Sequence, residues 1–195
     1  MNKKMKTYTN LEFDPDSPQA NQINLEDILV ALSRLPRFVG QTNRLFTVLE
    51  HSLLCYYLAL DLQEPSLSSS TLLHVLLHDS AEAYTGDIPT PVKDLLRPKI
   101  DEVEEKILLS IKSYFKVPLI TEKEKQIVKL VDSYAFSVEN EMFKNGISLK
   151  DLDITCPKDS LQRLLDRTAK DLKMDFTKIL TRLMEELDVT QQTSA

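Results

Sequence analysis

The sequence predicts an all-α protein that folds as a single bundle of helices. Long segments repeat their apolar residues at helical spacing, glycine occurs only three times in 195 residues, and tryptophan is absent. With 42% hydrophobic residues, the chain can bury one sizeable core, although its length leaves a two-domain split open. We expect a helical core over residues 24–188, an N-terminal extension, 1–23, and a frayed polar tail, 189–195.

The first predicted helix covers residues 25–35. Asn24 suits its N-cap, because the side-chain oxygen can accept hydrogen bonds from the free amides of the first turn, and Pro36 is expected to end the helix. Its apolar residues share one face, as packing against a core requires.

The second helix begins at a capping box, in which the Thr47 oxygen and the Glu50 side chain satisfy each other's backbone amides. This start places His51 in the first turn. The pattern runs to about residue 62, and a linker rich in proline and serine, 64–70, precedes the next helix.

A third helix is predicted to carry residues 72–84, as one continuous helix if the pattern is unbroken, and to stop at Gly86. In the loop that follows, Thr90 suits an N-cap and Pro91 a first helical residue. Two prolines stiffen this loop. Further helical patterns cover residues 99–115, 122–144 and 159–187, and Thr121 with Glu124 forms a second capping box at the start of the second of these.

Composition and charge exclude several classes of protein. The net charge of −6 argues against binding nucleic acid polymers through bulk electrostatics. Neither cysteine lies in a zinc-binding spacing, so a reduced cytoplasmic setting fits best. No window is apolar enough for a membrane span, and residues 1–10 do not resemble a secretory signal.

The three histidines of the chain fall within one stretch that also carries several carboxylates. His78 and Asp79 are adjacent, and on a continuous helix Glu82 would share their side. A lone histidine is more often a core or surface residue than a ligand, but clustering favours a shared site. His51 would come from the preceding helix, while His74 is interpreted as a supporting or packing residue.

Asp132 is the candidate partner from a distant helix. An aspartate in a long charged helix is usually solvated, yet its neighbours, Leu130, Val131 and Phe136 among them, are apolar. A bound cation would compensate a carboxylate in such surroundings.

Two imidazoles and two carboxylates form a mixed nitrogen and oxygen donor set. The set suits one divalent ion, and cobalt, manganese, magnesium, iron, nickel and zinc all remain open. Such an ion lowers the pKa of a bound water and can accept a phosphoryl oxygen, so phosphoester hydrolysis is the predicted chemistry. The candidate ligands are His51, His78, Asp79 and Asp132.

The order of these residues resembles the H…HD…D signature of HD-domain phosphohydrolases. More specifically, residues 78–93, HDSAEAYTGDIPTPVK, are similar to the H-D-x-x-E…G-D-x-P-T-P-x-K stretch of the bacterial 5′-deoxynucleotidase (YfbR-like) group. Glu50-His51-Ser52 is similar to that group's E-H-S. The resemblance spans about residues 24–140.

The resemblance implies roles for individual residues. His51, His78, Asp79 and Asp132 would bind the metal; Asp79 would also act in catalysis, beside a Glu82 that assists water attack or protonates the leaving group. Arg37 would orient the phosphate. The remaining expected substrate contacts are Phe38, Asp87, Ile88, Pro89, Thr90 and Lys93.

One departure concerns the arginine-aromatic pair, since Phe38 stands where these nucleotidases usually have tryptophan, and base or sugar preference is expected to differ. Phe38 is equally compatible with a core position. Arg44 and Lys93 are rival phosphate contacts, and both could instead be ordinary surface charges.

The predicted substrates are small (deoxy)nucleotides, with a deoxyadenosine-like mono-, di- or triphosphate favoured. Relatives that resemble this chain include specialised enzymes, such as the phosphohydrolase of oxetanocin A biosynthesis. The alternatives are a hydrolase of alarmones or cyclic nucleotides and a non-catalytic helical nucleotide-binding module. No membrane or nucleic acid polymer is expected as a partner, and a homodimer is left open.

Overall fold

The computed structural model describes residues 4–61, 67–148 and 158–193, and these are predominantly helical, which confirms the predicted all-α class. The helices are α1 (Leu25–Leu32), α2 (Val48–Asp61), α3 (Ser69–Leu77), α4 (Glu82–Thr85), α5 (Thr90–Leu96), α6 (Lys99–Tyr114), α7 (Glu122–Glu139), α8 (Lys158–Leu165) and α9 (Ala169–Thr193). A π-helical turn, Asn140–Lys144, continues α7. Two short strands, β1 (Met5–Lys6) and β2 (Glu12–Phe13), pair in antiparallel register.

The predicted helix starts rest on side-chain caps that the structure contains. Asn24 Oδ1 accepts from the Glu26 amide at 2.8 Å. At the start of α2 the Thr47 amide donates to Glu50 Oε2 at 2.7 Å, while the Glu50 amide donates to Thr47 Oγ1 at 3.3 Å. Thr121 forms the same capping box at the start of α7. These three predictions are confirmed.

Other boundaries differ from the sequence prediction. Helix α1 ends at Leu32, three residues early, because Ser33 takes the C-cap position and its hydroxyl bonds the Val30 carbonyl at 3.0 Å. Helix α5 begins at Thr90 itself, with Pro89 as N-cap. Residues 62–66 of the linker region lie outside the described residues.

The predicted continuous helix over residues 72–84 is wrong. Helix α3 ends at Leu77, and the next turns close through tighter bonds, from the Ser80 amide to the Leu77 carbonyl and from the Glu82 amide to the Asp79 carbonyl, both 3.0 Å. Side chains compete for the carbonyls that an α-helix would use, since the Ser80 hydroxyl donates to Leu77 and the His78 ring contacts the Val75 carbonyl. The irregular turn lies at the predicted metal ligands.

Helix α2 lies at the centre of the bundle and packs against α3, α7, α8 and α9. Its residues are buried on almost every side, which explains why it lacks a clear polar face. His51 is completely buried there. A side chain on this helix is therefore held firmly, and its polar atoms must find partners inside the protein.

The segment predicted as an N-terminal extension packs on the bundle. Phe13 is completely buried and stacks on Tyr84 of α4, with 4.0 Å between ring centroids. The Thr9 amide and hydroxyl donate to the Asp27 carboxylate at 2.7 and 2.9 Å. At the other end α9 continues to Thr193, through much of the segment predicted as a tail, and residues 194–195 lie outside the described residues.

Among the residues that the structure describes, no helix combines the length and the apolarity needed to cross a membrane.

Removing the Phe13 ring tests whether the N-terminal segment belongs to the cooperative fold. Phe13→Ala is expected to lower the free energy of unfolding by about 3–5 kcal/mol, as for other buried phenylalanines, because it leaves a cavity beside Tyr84. Chemical denaturation measures the change. Leu119→Ala is the control, since Leu119 is 88% exposed, and it should change stability by less than about 0.5 kcal/mol. Equal stability of both variants would place residues 1–23 outside the fold.

Candidate metal centre

The four predicted ligands come from three parts of the bundle and meet at one point. His51 extends from α2, His78 and Asp79 from the turn after α3, and Asp132 from α7. His51 Nε2 lies 3.2 Å from His78 Nε2 and 3.2 Å from Asp79 Oδ2. Asp132 Oδ1 lies 3.3 Å from His51 Nε2 and 3.8 Å from His78 Nε2.

Both imidazoles turn the same nitrogen toward this point. His51 Nδ1 lies 2.5 Å from Glu139 Oε1, and His78 Nδ1 lies 2.7 Å from the Val75 carbonyl oxygen. Because both partners are acceptors, each Nδ1 carries a proton, and when a ring is neutral its lone pair lies on Nε2. Acceptors of this kind usually support histidines that bind metals.

The spacing of the donor atoms fits one cation. Ligands about 2.1 Å from a common ion are separated by about 3.0–3.5 Å from their neighbours. The four donor atoms are 3.2 to 3.8 Å apart in the pairs that join the histidines to the aspartates. The residues present therefore fit a divalent metal.

Charges inside the cluster favour protonated imidazoles and ionised carboxylates. Burial lowers the pKa of His78, but attraction to Asp79 and the hydrogen bond with Asp132 raise it well above the usual value. Burial likewise opposes ionisation of Asp79 and Asp132, yet contacts with the two imidazoles hold both pKa values below their usual range. A metal must displace protons from these imidazoles, so metal affinity should rise with pH.

Cys55 adds a sulfur atom that the sequence interpretation did not use. Its Sγ lies 3.5 Å from His51 Nε2, and it groups with His51, His78 and Asp132 as a further candidate ligand set. The signal in the sequence was its position one turn after His51 on α2. Asp79 Oδ2 is nearer, 3.2 Å from each Nε2 atom, which favours the carboxylate set.

Asp132 reaches the cluster for a reason other than the predicted one. The apolar neighbours in sequence do not surround it, since Leu130 is 60% and Phe136 49% exposed. Asp132 is half-exposed at the edge of a cavity, and its Oδ1 atom approaches the imidazoles.

The cavity beside the cluster has a volume of about 770 Å³. Asp79, Asp132 and Glu82 lie in its wall. Every residue that the resemblance implied for substrate binding also lines it, namely Arg37, Phe38, Asp87, Ile88, Pro89, Thr90 and Lys93. The structure thus brings the predicted metal ligands and the predicted substrate contacts to one place.

The cavity also contains residues that sequence reasoning missed. One face of α7 and its π-helical continuation supplies Ser133, Phe136, Ser137, Asn140 and Lys144. Their helical spacing from Asp132 was a usable signal, because residues three or four apart share a face. Arg97, which follows α5, adds another positive charge.

Arg37 is held between the cluster and the cavity. Its Nε and Nη2 atoms donate to Glu139 Oε2 at 3.2 and 3.1 Å, and Nη1 lies 3.9 Å from Asp79 Oδ2. Although burial opposes its charge, attraction to Glu139 and Asp79 raises the pKa of Arg37 further. It therefore stays charged beside the cavity.

Phe38 lies at the cavity wall, half-buried, with its ring centroid 5.7 Å from that of Phe136. Its φ of 56° and that of Val39, also 56°, fall in the left-handed region that L-residues rarely adopt. Such backbone strain is concentrated at functional sites. The core interpretation of Phe38 is less compatible with this position than the substrate-contact interpretation.

Glu82 opens α4 and is buried with its Oε2 atom lacking a hydrogen-bond partner among the described residues. Burial, and then repulsion from Asp79 and Asp87, raises its pKa to about 9. A carboxyl group in this state holds a proton at neutral pH. Glu82 is also one of the residues that line the cavity.

The rival phosphate contacts, Lys93 and Arg44, and the supporting residue His74 lie in different surroundings. Lys93 lines the cavity while paired with Glu104. Arg44 instead pairs with Glu50 and donates to the Leu165 carbonyl at 3.3 Å, in a different pocket. Burial, and then Lys112, lowers the pKa of His74 to about 4, so His74 is a neutral packing residue.

Glu139 is the functional candidate that sequence reasoning missed entirely. It is the last residue of α7, it is completely buried, and it contacts both His51 and Arg37. Its position two turns after Asp132 places it on the same face of α7, which was the available signal.

Comparison with known proteins gives a family match and two uncharacterized relatives. Residues 36–193 match the family described as HD domain, a span that contains all four candidate ligands. The chain is 33% identical over 114 residues to the uncharacterized protein YfdR of Escherichia coli (strain K12), covering 58% of this chain and 59% of that protein. An uncharacterized protein of Rhodobacter capsulatus is 30% identical over 127 residues, 64% of either chain. The chain therefore spans about three fifths of the length of these curated relatives.

Removing one carboxylate tests the ligand set. Asp132→Ala should weaken binding of manganese or cobalt by more than about tenfold, because the cation loses a charged donor. Titration against a chelator measures the affinity.

Two controls separate the possible donors. Asp188→Ala removes an exposed carboxylate from α9 and should leave affinity unchanged. Cys55→Ala should also retain the metal. The two candidate sets share Asp132 and differ in Asp79 and Cys55, so loss of the metal in Cys55→Ala together with its retention in Asp79→Ala would favour the sulfur-containing set instead.

Proposed function

The chain belongs to the HD-domain family, and from that premise we propose that it is a metal-dependent phosphohydrolase that removes phosphate from (deoxy)nucleotides. HD domains generally bind divalent metals and are generally hydrolases. The observation that carries the proposal is the convergence of two imidazole nitrogens and two carboxylate oxygens at the wall of a cavity that also holds basic and aromatic side chains.

Phosphate recognition is supported by the distribution of positive charge. Arg37 and Lys93 lie beside the candidate ligands, and Arg97 and Lys144 line the same cavity. Guanidinium and ammonium groups are the usual partners of phosphoryl oxygens. A divalent cation at the cluster would supply a water of lowered pKa and neutralise charge on a phosphoryl oxygen.

The protein's own groups then have distinct tasks. Arg37, restrained on one side by Glu139, presents the rest of its guanidinium to the cavity and holds a phosphoryl oxygen as negative charge accumulates. Glu82 carries a proton that the leaving oxygen can accept. Asp79 contributes both to the cation site and to the electrostatic field that raises the pKa of Glu82.

A nucleotide, rather than a simple phosphoester, is supported by the aromatic pair. Phe38 and Phe136 line the cavity, and the exposed Phe136 ring offers a surface on which a base can stack. A volume of about 770 Å³ lies within the range of small-molecule sites. The loop at Asp87 to Thr90 would border the sugar, and the deoxyadenosine preference is carried over from the resemblance.

Product analysis tests the proposal. Metal-loaded protein would be incubated with dAMP, dADP, dATP and their ribose counterparts, and released phosphate and pyrophosphate would be separated by chromatography, with a chelated sample as control. We expect chelator-sensitive release from at least one deoxynucleotide. Bound metal with no turnover of this panel would direct the search to modified nucleotides or alarmones, and turnover of guanosine polyphosphates or cyclic dinucleotides alone would favour the alternative hydrolases. Absence of bound metal would favour a binding module.

Glu82→Gln tests the proton-transfer role. The amide preserves size but cannot exchange a proton, so turnover should fall by about two or more decades while metal content stays the same. Steady-state kinetics and metal analysis of one preparation give both values. Glu185→Gln, at an exposed position of α9, is the matched control and should behave as wild type. Full turnover in Glu82→Gln would eliminate this role.

Phe136→Ala tests base stacking. Loss of one stacking surface should raise KM for the preferred nucleotide by about fivefold to a hundredfold, since a base on an aromatic ring contributes about 1–3 kcal/mol. Inhibition by inorganic phosphate, which has no base, should stay constant. Leu130→Ala removes another exposed apolar side chain of α7 and is the control. A proportional loss of phosphate inhibition would contradict a base-specific role.

A further inference from the structure

One carboxylate joins the two halves of the candidate site. Glu139 Oε1 lies 2.5 Å from His51 Nδ1, and Glu139 Oε2 accepts from Arg37 Nε and Nη2 at 3.2 and 3.1 Å. Both partners lie far from Glu139 in the sequence, 88 and 102 residues before it. Each carboxylate oxygen thus contacts a different side chain.

Burial makes this arrangement demanding. Glu139 and His51 are both completely inaccessible to solvent, and the Arg37 side chain is 12% exposed. A carboxylate without solvent is strongly destabilising unless charged or hydrogen-bonded groups compensate it. The hydrogen bonds to Arg37 and His51 provide that compensation and fix all three side chains relative to one another.

We propose that Glu139 is a positioning residue that sets the tautomer of His51 and the orientation of Arg37 simultaneously. By accepting from Nδ1, it keeps the lone pair of Nε2 available to a cation. By accepting from Nε and Nη2, it leaves Nη1 of Arg37 toward Asp79 and the cavity. The Arg37 part rests on the proposed phosphohydrolase function, whereas the His51 part requires only that the cluster binds a metal.

Only a carboxylate can perform both tasks. Glutamine has one acceptor oxygen and one donor NH₂ group, so Glu139→Gln can satisfy just one partner. Its oxygen should face the charged guanidinium, where the hydrogen bond is stronger. The NH₂ group would then face Nδ1, favouring the tautomer with its proton on Nε2, the atom that must bind the cation.

The experiment compares Glu139→Gln with Glu185→Gln, which removes the same charge from an exposed position of α9. Zinc affinity is measured by chelator competition, and long-range proton–nitrogen NMR reports the protonation of each imidazole; only three histidines need assignment. Glu139→Gln should bind zinc about tenfold to a hundredfold more weakly and show the His51 proton on Nε2 in the metal-free neutral ring. Glu185→Gln should match wild type.

The Arg37 part is measured with inorganic phosphate on zinc-saturated protein. Glu139→Gln, which keeps an acceptor for the guanidinium, should bind phosphate within about threefold of wild type. Glu139→Ala, which has no acceptor, should bind it at least about tenfold more weakly. Equal phosphate affinity in all three proteins would overturn the Arg37 part.

A wild-type measurement covers the case in which the variants do not fold. In the zinc-loaded protein, His51 should show a slowly exchanging, downfield proton on Nδ1, while Nε2 binds the metal. Coordination through Nδ1, or Glu139→Gln with wild-type zinc affinity and only a lower Tm, would overturn the proposal. The zinc and NMR results need no substrate, so a protein that hydrolyses no nucleotide would refute the proposed function while leaving the His51 assignment intact.

Discussion

Compensation of buried charge at the centre of the bundle is the constraint on which the site depends. Helix α2 is buried on almost every side, so the polar atoms of His51 must find their partners inside the protein, and the nearest of these come from other parts of the chain. Glu139 satisfies one ring nitrogen, while Asp79 and Asp132 face the other. Packing of α2 against α3 and α7 therefore brings these charged groups together while it forms the core.

The turn after α3 follows from the same constraint. His78 and Asp79 are neighbours in sequence and would diverge by about 100° on a regular α-helix. The structure uses the Val75 carbonyl to hold the His78 ring and tightens the chain through Ser80, so that His78 Nε2 and Asp79 Oδ2 lie 3.2 Å apart. The irregular backbone thus brings two metal-donor atoms together that a regular helix would hold apart.

The sequence revealed the parts of the fold that depend on neighbouring residues. Asn24, Thr47 and Thr121 were identified as caps because each cap bonds within its own first turn. The cluster of His51, His78 and Asp79 was visible because unusual residue types lie close together in the chain. The helix break was not predicted, because it depends on whether side chains or backbone amides donate hydrogen bonds to the carbonyls of Val75 and Leu77.

Glu139 shows why the remainder was inaccessible to sequence reasoning. A glutamate near the end of a charged helix is ordinarily exposed, and its helical spacing from Asp132 indicates its face on α7 but not its burial. Its burial is decided by Arg37 and His51, whose approach depends on how α2, α7 and the turn around Arg37 pack together.

Phe136 illustrates the opposite error. It was expected to make the surroundings of Asp132 apolar, and instead it lies half-exposed in the cavity. Apolarity along a helix predicts burial only when the face is known. The face of α7 that carries Asp132 opens onto a cavity rather than onto the core. An apolar residue left exposed at this cavity is available to a ligand, and under the proposed function Phe136 would be the ring on which a base stacks.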